Sequence, residues 1–232
     1  TKFKGLSTGD NFGVSSDISD LVTEGSNRYL YVVASAFSYV RVLVGSIPDT
    51  GDVDTPGDWS WKASPTTGSQ TPPPSIYSAP SGIIQSVAIT SDGTIVIIGD
   101  VTNNEVRVFQ SSDKWVTSTQ VGQTITGAAG TFFGSSVGID RSASVNNIEG
   151  TTIVIGQPQY STPIKPNCGR VIVMEFINGA WQQVLNPVIG QNENEQLGQS
   201  VAMRNNNSFV AAGSYPTQGR VALFKVRNLC ST

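Results

Sequence analysis

The chain has 232 residues, a formal net charge of −3 and a pI near 4.9, with only 13% charged residues but 24 glycines and 12 prolines. This composition favours short strands and many turns over helices or disorder. Lysine and arginine are scattered, which argues against the basic patch of a nucleic-acid binder. The apolar runs are far shorter than the roughly 20 residues that span a bilayer, so we expect no membrane insertion.

In chain order, one arrangement of short β runs recurs about four times. A first run begins near a Ser-Val pair, and an aromatic residue or leucine followed by glycine precedes most of these runs. A second run ends in a small residue, a third alternates apolar and polar residues, and a tryptophan strand follows. The first runs contain Phe12-Gly13 with Ser15-Ser16, Ser86-Val87, Phe133-Gly134 with Ser136-Val137, and Leu197-Gly198 with Ser200-Val201. The second runs end at Ser35, Gly99, Gly156 and Gly213, and the third runs start at Val40, Val106, Val171 and Val221. The tryptophan strands contain Trp59-Ser60-Trp61, Trp115-Val116 and Trp181.

Four short strands per unit, repeated at intervals of roughly 40 to 70 residues, are typical of propeller blades. The sequence therefore predicts an all-β fold, a single β-propeller domain over 1–232 with about four four-stranded blades. The units cover approximately 6–82, 83–132, 133–196, and 197–232 together with 1–5. Small residues suit the crowded inner strands, and tryptophans suit the wedges between neighbouring sheets.

The third and fourth units carry a recognisable motif. Phe133-Gly134-Ser135-Ser136-Val137 is followed by Ile155-Gly156-Gln157-Pro158 and Gly169-Arg170-Val171, and Leu197-Gly198 begins the same series again. This pattern resembles the Phe-Gly…Gly-Ala-Pro repeat of the integrin-α-type propeller family, known as FG-GAP. The resemblance implies the propeller fold and a tendency toward extracellular adhesion or display, but it implies no reaction.

Blades of that family often hold calcium in an Asp-x-Asp-x-Asp-Gly turn between the first two strands, and this chain departs from the pattern. The turn that starts at Asp140 has one carboxylate, and 204–208 has none. Because calcium needs six to eight oxygen ligands, several of them anionic, we expect these turns to be metal-free and the protein to need no cofactor. A second acidic loop contains Asp49, Asp52, Asp54 and Asp58, but Pro56 and the irregular spacing favour a solvated loop, with calcium binding as the alternative.

Cys168 and Cys230 are the two cysteines of the chain. They are expected at opposite faces of neighbouring blades, roughly one strand length apart, so a disulfide requires the tail 227–230 to turn back. A Cys168–Cys230 bridge and two free thiols both remain open.

The chain has no histidine, which removes the commonest general base and zinc ligand, and it lacks phosphate-loop and nucleophile-elbow motifs. We therefore expect no enzyme, but a non-catalytic, extracellular or surface-exposed adhesion module that binds a protein or glycan partner. Loops 46–58 and 64–81 are the predicted binding surface. A structural subunit of a large assembly, virion-associated or filamentous, is the alternative, and a carbohydrate-active hydrolase is a third.

The two ends of the chain bear on ring closure. The fourth unit has three strand runs, and Lys2-Phe3-Lys4 occupies the place of a tryptophan strand, which predicts that the N-terminal strand completes the last blade. A fragment of a longer propeller fits equally well. The first residue is Thr1 and no leader follows it, so we expect a processed or excised product.

Overall fold

A computed structural model describes residues 8–48, 60–63, 76–78, 82–141, 148–204, 209–215 and 219–226. Within these ranges every regular element is a β-strand, and the strands form four antiparallel sheets. We call the sheets blades 1 to 4 in chain order. The predicted all-β class is therefore confirmed. No helix in these ranges has the length and hydrophobicity that crossing a bilayer requires.

The described ranges contain nineteen strands, distributed over the four blades. Blade 1 contains β1 (Ser16–Ile18), β2 (Val22–Glu24), β3 (Asn27–Ser35), β4 (Tyr39–Pro48), β5 (Ser60–Ala63) and β6 (Tyr77–Ser78); blade 2 contains β7 (Ile84–Ile89), β8 (Ile95–Asp100), β9 (Glu105–Gln110), β10 (Thr119–Gln120) and β11 (Ile125–Thr126); blade 3 contains β12 (Val137–Asp140), β13 (Thr152–Gln157), β14 (Arg170–Ile177), β15 (Ala180–Gln183) and β16 (Val188–Ile189); blade 4 contains β17 (Ser200–Arg204), β18 (Phe209–Gly213) and β19 (Val221–Lys225).

Blades 2 to 4 are each built around three strands in chain order, such as β12-β13-β14 in blade 3. In blade 1 the short strands β1 and β2 both pair with β3, which in turn pairs with β4. In blades 1 to 3 the outer edge is made of two short strands that pair with opposite ends of the third strand. In blade 3, for example, β15 pairs with one end of β14 and β16 with the other. The predicted fourth strand is therefore divided in two in these blades.

The inner strands lie side by side around a common cavity. β7 contacts β1 on one side and β12 on the other, and β12 contacts β17. All four inner strands line one cavity of about 250 Å³. Sheets arranged radially about a shared axis, each with its first strand innermost, define a β-propeller arrangement.

Three apolar clusters fill the wedges between successive blades. Apolar side chains of β3 and β4 pack on those of β7 and β8, the next cluster joins blades 2 and 3, and the last joins blades 3 and 4. Alternation along each strand explains this division, since neighbouring residues point to opposite faces. In β13, Ile153 and Ile155 face blade 2, whereas Val154 faces blade 4.

Trp115 and Trp181 enter these wedges from different backbone conformations. Trp181 lies on β15, is buried between blades 2 and 3, and donates from its indole N–H to the Val121 carbonyl at 3.0 Å. The expectation that Trp115 also lies on a strand is wrong. Trp115 sits in a turn with φ +63°, where the Ser111 hydroxyl accepts its backbone N–H, and its indole donates to the Gly93 carbonyl at 2.7 Å. The wedge between blades 1 and 2 is thus filled from a turn.

Candidate functional site

One end of the propeller is formed by the turns that precede the first strands and by the connections between the second and third strands. At blades 3 and 4, three segments of this end come together, residues 160–169, 191–197 and 214–215. We call these three segments the loop face. Backbone hydrogen bonds join its segments: Asn194 N–H donates to the Pro166 carbonyl at 2.9 Å, and Tyr215 N–H donates to the Glu195 carbonyl at 3.2 Å.

The loop face presents two large side chains to solvent. Ile164 is 77% exposed and Tyr215 is 65% exposed. Ile164 lies at the tip of a tight turn, which is closed by two backbone hydrogen bonds between Thr162 and Lys165, at 3.1 and 3.3 Å. Because the turn is closed in this way, the apolar tip is held in place before any partner arrives, which lowers the entropic cost of binding.

A buried carboxylate fixes the middle segment. Glu195 is only 5% exposed, and one of its oxygens accepts the backbone N–H of Gln191 at 2.6 Å and of Asn192 at 2.9 Å. The other oxygen accepts Nε and Nη2 of Arg220 at 3.0 and 2.6 Å. Burial opposes ionisation of Glu195, but the backbone N–H groups and Arg220 outweigh it, so the pKa of this carboxyl lies below its ordinary value.

A second polar chain supports the segment that carries Ile164. The Arg170 guanidinium stacks on the Tyr160 ring, 4.0 Å from its centroid, and donates from Nε to the Gln157 side chain at 2.6 Å. The fully buried Gln157 amide in turn donates to the Thr131 hydroxyl at 2.5 Å. The loop is therefore anchored to the body of blade 3 by stacked and hydrogen-bonded side chains, which suits a preformed recognition surface.

The predicted binding loops lie elsewhere. Of loops 46–58 and 64–81, only 46–48 and 76–78 fall within the described residues, and Asp49, Asp52, Asp54 and Asp58 lie outside them. Across the described ranges, no group of three or more His, Cys, Asp or Glu side chains could hold a metal ion. The calcium alternative for the acidic loop therefore stays a prediction.

The turn that corresponds to a calcium loop contains an ion pair across blades. The guanidinium of Arg141, which follows β12, contacts the Asp92 carboxylate in the Ser91-Asp92-Gly93 turn of blade 2. Asp92 also accepts Thr94 N–H at 3.1 Å and the Thr90 hydroxyl at 2.6 Å. Desolvation lowers the pKa of Arg141. Here an arginine supplies the positive charge beside the turn carboxylate.

Cys168 is fully buried, and its thiol donates a hydrogen bond to the Tyr160 carbonyl at 3.5 Å. The Cys168 thiol therefore lies on the buried side of the loop-face segment 160–169. Cys230 and the N-terminal Lys2-Phe3-Lys4 lie outside the described residues, so the disulfide and the closing strand stay predictions.

A smaller cavity of about 180 Å³ lies between blades 1 and 2. Its charged groups are already paired: the Lys114 ammonium lies 3.0 Å from the Glu24 carboxylate and 4.3 Å from the Tyr29 ring centroid. Asp113 is likewise engaged, since it accepts hydrogen bonds from Thr117 and Ser111. With its charges satisfied internally, this cavity is a weaker binding surface than the loop face.

Comparison with known proteins adds little to this geometry. No family model matches the chain, and no curated protein matches it in sequence, so membership of the FG-GAP family stays a prediction.

Solved structures with similar architecture include a chain of the mitotic checkpoint complex, with 14% identity and a TM-score of 0.45 over 85% of this chain and 42% of that one. The Swd1 β-propeller domain of Myceliophteria thermophila has 12% identity and a TM-score of 0.45 over 90% and 51%. An exo-1,5-α-L-arabinanase from a bovine ruminal metagenomic library has 12% identity and a TM-score of 0.38 over 89% and 72%. The chain thus spans about half the length of the first two, and we draw no functional conclusion from similarities this low.

Proposed function

We propose that this protein is a non-catalytic interaction module that binds a protein partner through the loop face of blades 3 and 4. The observation that carries the proposal is the exposure of Ile164 and Tyr215 on segments that are otherwise locked by hydrogen bonds. Large side chains that are already held in place lose little conformational freedom on binding, and a few such anchors dominate the binding energy of protein interfaces.

A protein is favoured over a glycan because of the chemistry of the tip. Glycan sites stack sugar rings on flat aromatic faces, whereas the most exposed side chain here is the branched aliphatic Ile164, flanked by Pro163. Tyrosine is enriched at protein interfaces, where an apolar centre is surrounded by a polar rim. The absence of histidine from the sequence supports a non-catalytic role. By resemblance to FG-GAP repeats, we further propose an extracellular or surface location.

The test places a photo-crosslinking amino acid at position 164 of the full chain and, as a matched control, at position 116. Val116 is also an exposed apolar residue, but it lies in a turn of blade 2. We expect a partner that is captured from position 164 and not from position 116. The purified partner should then bind the unmodified protein, and Tyr215→Ala should weaken its affinity about tenfold or more, as loss of an interface anchor does.

Three results would overturn the proposal. Equal capture at both positions would show that the loop face has no preference for a partner. An affinity unchanged by Tyr215→Ala would place binding elsewhere. Glycan-array binding that is lost in Tyr215→Ala would replace the protein partner with a carbohydrate.

A further inference from the structure

The joint between blades 2 and 3 and the joint between blades 3 and 4 have the same chemical form. The Ser86 hydroxyl of blade 2 donates to the Gly134 carbonyl of blade 3 at 2.7 Å, and the Ser136 hydroxyl of blade 3 donates to the Gly198 carbonyl of blade 4 at 2.7 Å. Each carbonyl also lies against a glycine at the end of the second strand of the earlier blade. On Gly156, for instance, a Cβ would overlap the Gly198 carbonyl oxygen.

An apolar side chain accompanies each of these carbonyls. Phe133 precedes Gly134 and is buried in the cluster between blades 2 and 3, and Leu197 precedes Gly198 and is buried in the cluster between blades 3 and 4. A complete joint therefore has a serine and a glycine on one blade, and an apolar-glycine turn on the next.

Blade 4 has the first half of a joint, and none of the described residues of another blade is docked on it. Ser200 is opposite Gly213 in the sheet register, as Ser86 is opposite Gly99. Ser200 is exposed, and a Cβ on Gly213 would come close only to groups of Ser200 itself. On the same face of the sheet Val221 is 74% exposed and Leu223 is 71% exposed. We call this surface, formed by Ser200, Phe209, Gly213, Val221 and Leu223, the tail face.

Blade 1 has the second half of a joint, and no other blade packs on it within the part of the chain that the structure describes. Gly13 has φ +99°, in the same left-handed region as Gly134 and Gly198 at +82° and +93°, and a Cβ on Gly13 would meet no atom within 4 Å. Phe12, which precedes it, stacks on Tyr39 of its own blade and is only half-buried, unlike Phe133. We call Phe12, Gly13, Val14 and Ile18 the head edge.

The head edge points away from blade 2. The Asp17 carboxylate accepts the backbone N–H of Ile89 in blade 2 at 2.9 Å. Because residues alternate along a strand, the neighbouring Ile18 faces the opposite way, and it is 50% exposed. These two halves, which no described residue of another blade fills, are thus complementary in chemistry, and they lie on the first and the last of the four described blades.

We propose that the tail face of one molecule binds the head edge of a second copy of this chain, head to tail. The Gly13 carbonyl of the second copy accepts the Ser200 hydroxyl and lies over Gly213, while Phe12 and Ile18 cover Val221 and Leu223. The contact joins two different surfaces, so it is heterologous and generates rings or open filaments rather than a closed twofold dimer. Its chemistry is that of the two joints already present within the chain.

The first experiment follows mass against concentration by light scattering and sedimentation velocity. We expect the mass of the full chain to rise above the 24.5 kDa monomer with increasing concentration. Gly213→Ala should abolish this rise, because the added methyl occupies the place of the incoming carbonyl. Gly219→Ala is the matched control, since its methyl would meet only the Ser214 carbonyl, at 3.9 Å, and it should associate as the wild type does.

The second experiment separates the head-to-tail contact from other modes. Ile18→Asp removes the head edge and Leu223→Asp removes the tail face, so each variant alone should be monomeric. Mixed together they should form 1:1 dimers and nothing larger, because each still has one intact surface. The dissociation constant for each variant alone should rise about 100-fold, as expected for a charge placed in an apolar interface core.

Several outcomes would overturn the proposal. A wild-type chain that stays monomeric up to about 200 µM would refute it, since even weak specific contacts reach this range. Variants that fail to complement each other while retaining wild-type melting temperatures would exclude the heterologous contact. A cysteine pair at positions 14 and 202 that crosslinks within one molecule would show that blade 1 closes the ring on blade 4 of its own chain.

Discussion

Replacing Gly156 by alanine tests the joint that holds blade 4 on blade 3. An alanine methyl at this position would overlap the Gly198 carbonyl oxygen of the next blade and the Ser136 hydroxyl. The carbonyl belongs to the backbone of another sheet, so it cannot rotate away as a side chain would. We therefore expect the two blades to separate slightly or blade 4 to loosen.

The magnitude follows from three contributions. Forcing one extra methyl into a filled joint costs about 1–3 kcal/mol. Displacing the carbonyl also weakens the 2.7 Å hydrogen bond from Ser136, which is worth about 1 kcal/mol. Removing a glycine from the unfolded chain returns about 0.4–1 kcal/mol. The net loss in the free energy of unfolding is about 2 kcal/mol, which lowers the melting temperature by about 4–8 °C in a domain of this size.

The assay is urea unfolding at about 1 µM, a concentration below that of weak self-association, with tryptophan fluorescence as the probe. The buried Trp181 reports on the core of blade 3. Gly213→Ala is the matched variant, because its methyl meets only Ser200, whose hydroxyl is able to turn aside. If Gly156→Ala is no less stable than Gly213→Ala, the Gly198 carbonyl does not pack closely against Gly156 at this joint.

Two further predictions concern buried groups. The pKa of Glu195 lies below its ordinary value of 4.5, so the contribution of this carboxylate to stability is complete above pH 4.5 and is lost as the pH falls through the folded-state pKa. The urea midpoint of Glu195→Gln should therefore decline less steeply than that of the wild type between about pH 5 and pH 3. An unchanged slope would contradict this prediction. Phe133→Ala should lower the free energy of unfolding by about 3–5 kcal/mol in the same assay. Phe12→Ala should lower it clearly less, because Phe12 is only half-buried. Equal losses would show that Phe12 is already buried against another blade.

Much of the fold could be predicted because the propeller repeats local patterns. Alternating apolar runs such as Val171-Ile172-Val173 have the period of strands, and glycines such as Gly134 mark turns with positive φ. The third strands of blades 2 and 3 bury corresponding positions, Val106 and Val108 in the one and Val171 and Val173 in the other. For this reason short-range pattern was sufficient to predict both the class of fold and the wedge position of Trp181.

Trp115 shows where local pattern misleads. Its β-branched neighbours Val116 and Thr117 suggest a strand, but the Asp113 carboxylate accepts Thr117 N–H and the Ser111 hydroxyl accepts Trp115 N–H, which closes a turn. The burial of the indole between blades 1 and 2 favours this turn over a strand. Packing against another blade decided the backbone conformation here, and such packing leaves no periodic signal in the sequence.

The candidate site was not predicted. Proline-rich and acidic composition predicted a binding surface at loops 46–58 and 64–81. The loop face, in contrast, is formed by contacts between loops that are separate in the sequence. The Glu195–Arg220 pair joins residues 25 positions apart, and the Tyr215 N–H reaches the Glu195 carbonyl from the neighbouring segment. Nothing in the local sequence around Ile164 indicates that its turn is anchored by such pairs.

By itself, the sequence determined the strands, the turn glycines and the small residues that let blades approach, because these depend on backbone geometry and the two-residue period of a strand. Only the tertiary structure showed that Ser136 reaches Gly198, 62 positions away, and that Ser200 and Gly13 have no equivalent partner among the described residues. Which surface is covered and which stays open depends on how whole blades meet. That relation is set by packing between sheets, and no single stretch of chain encodes it.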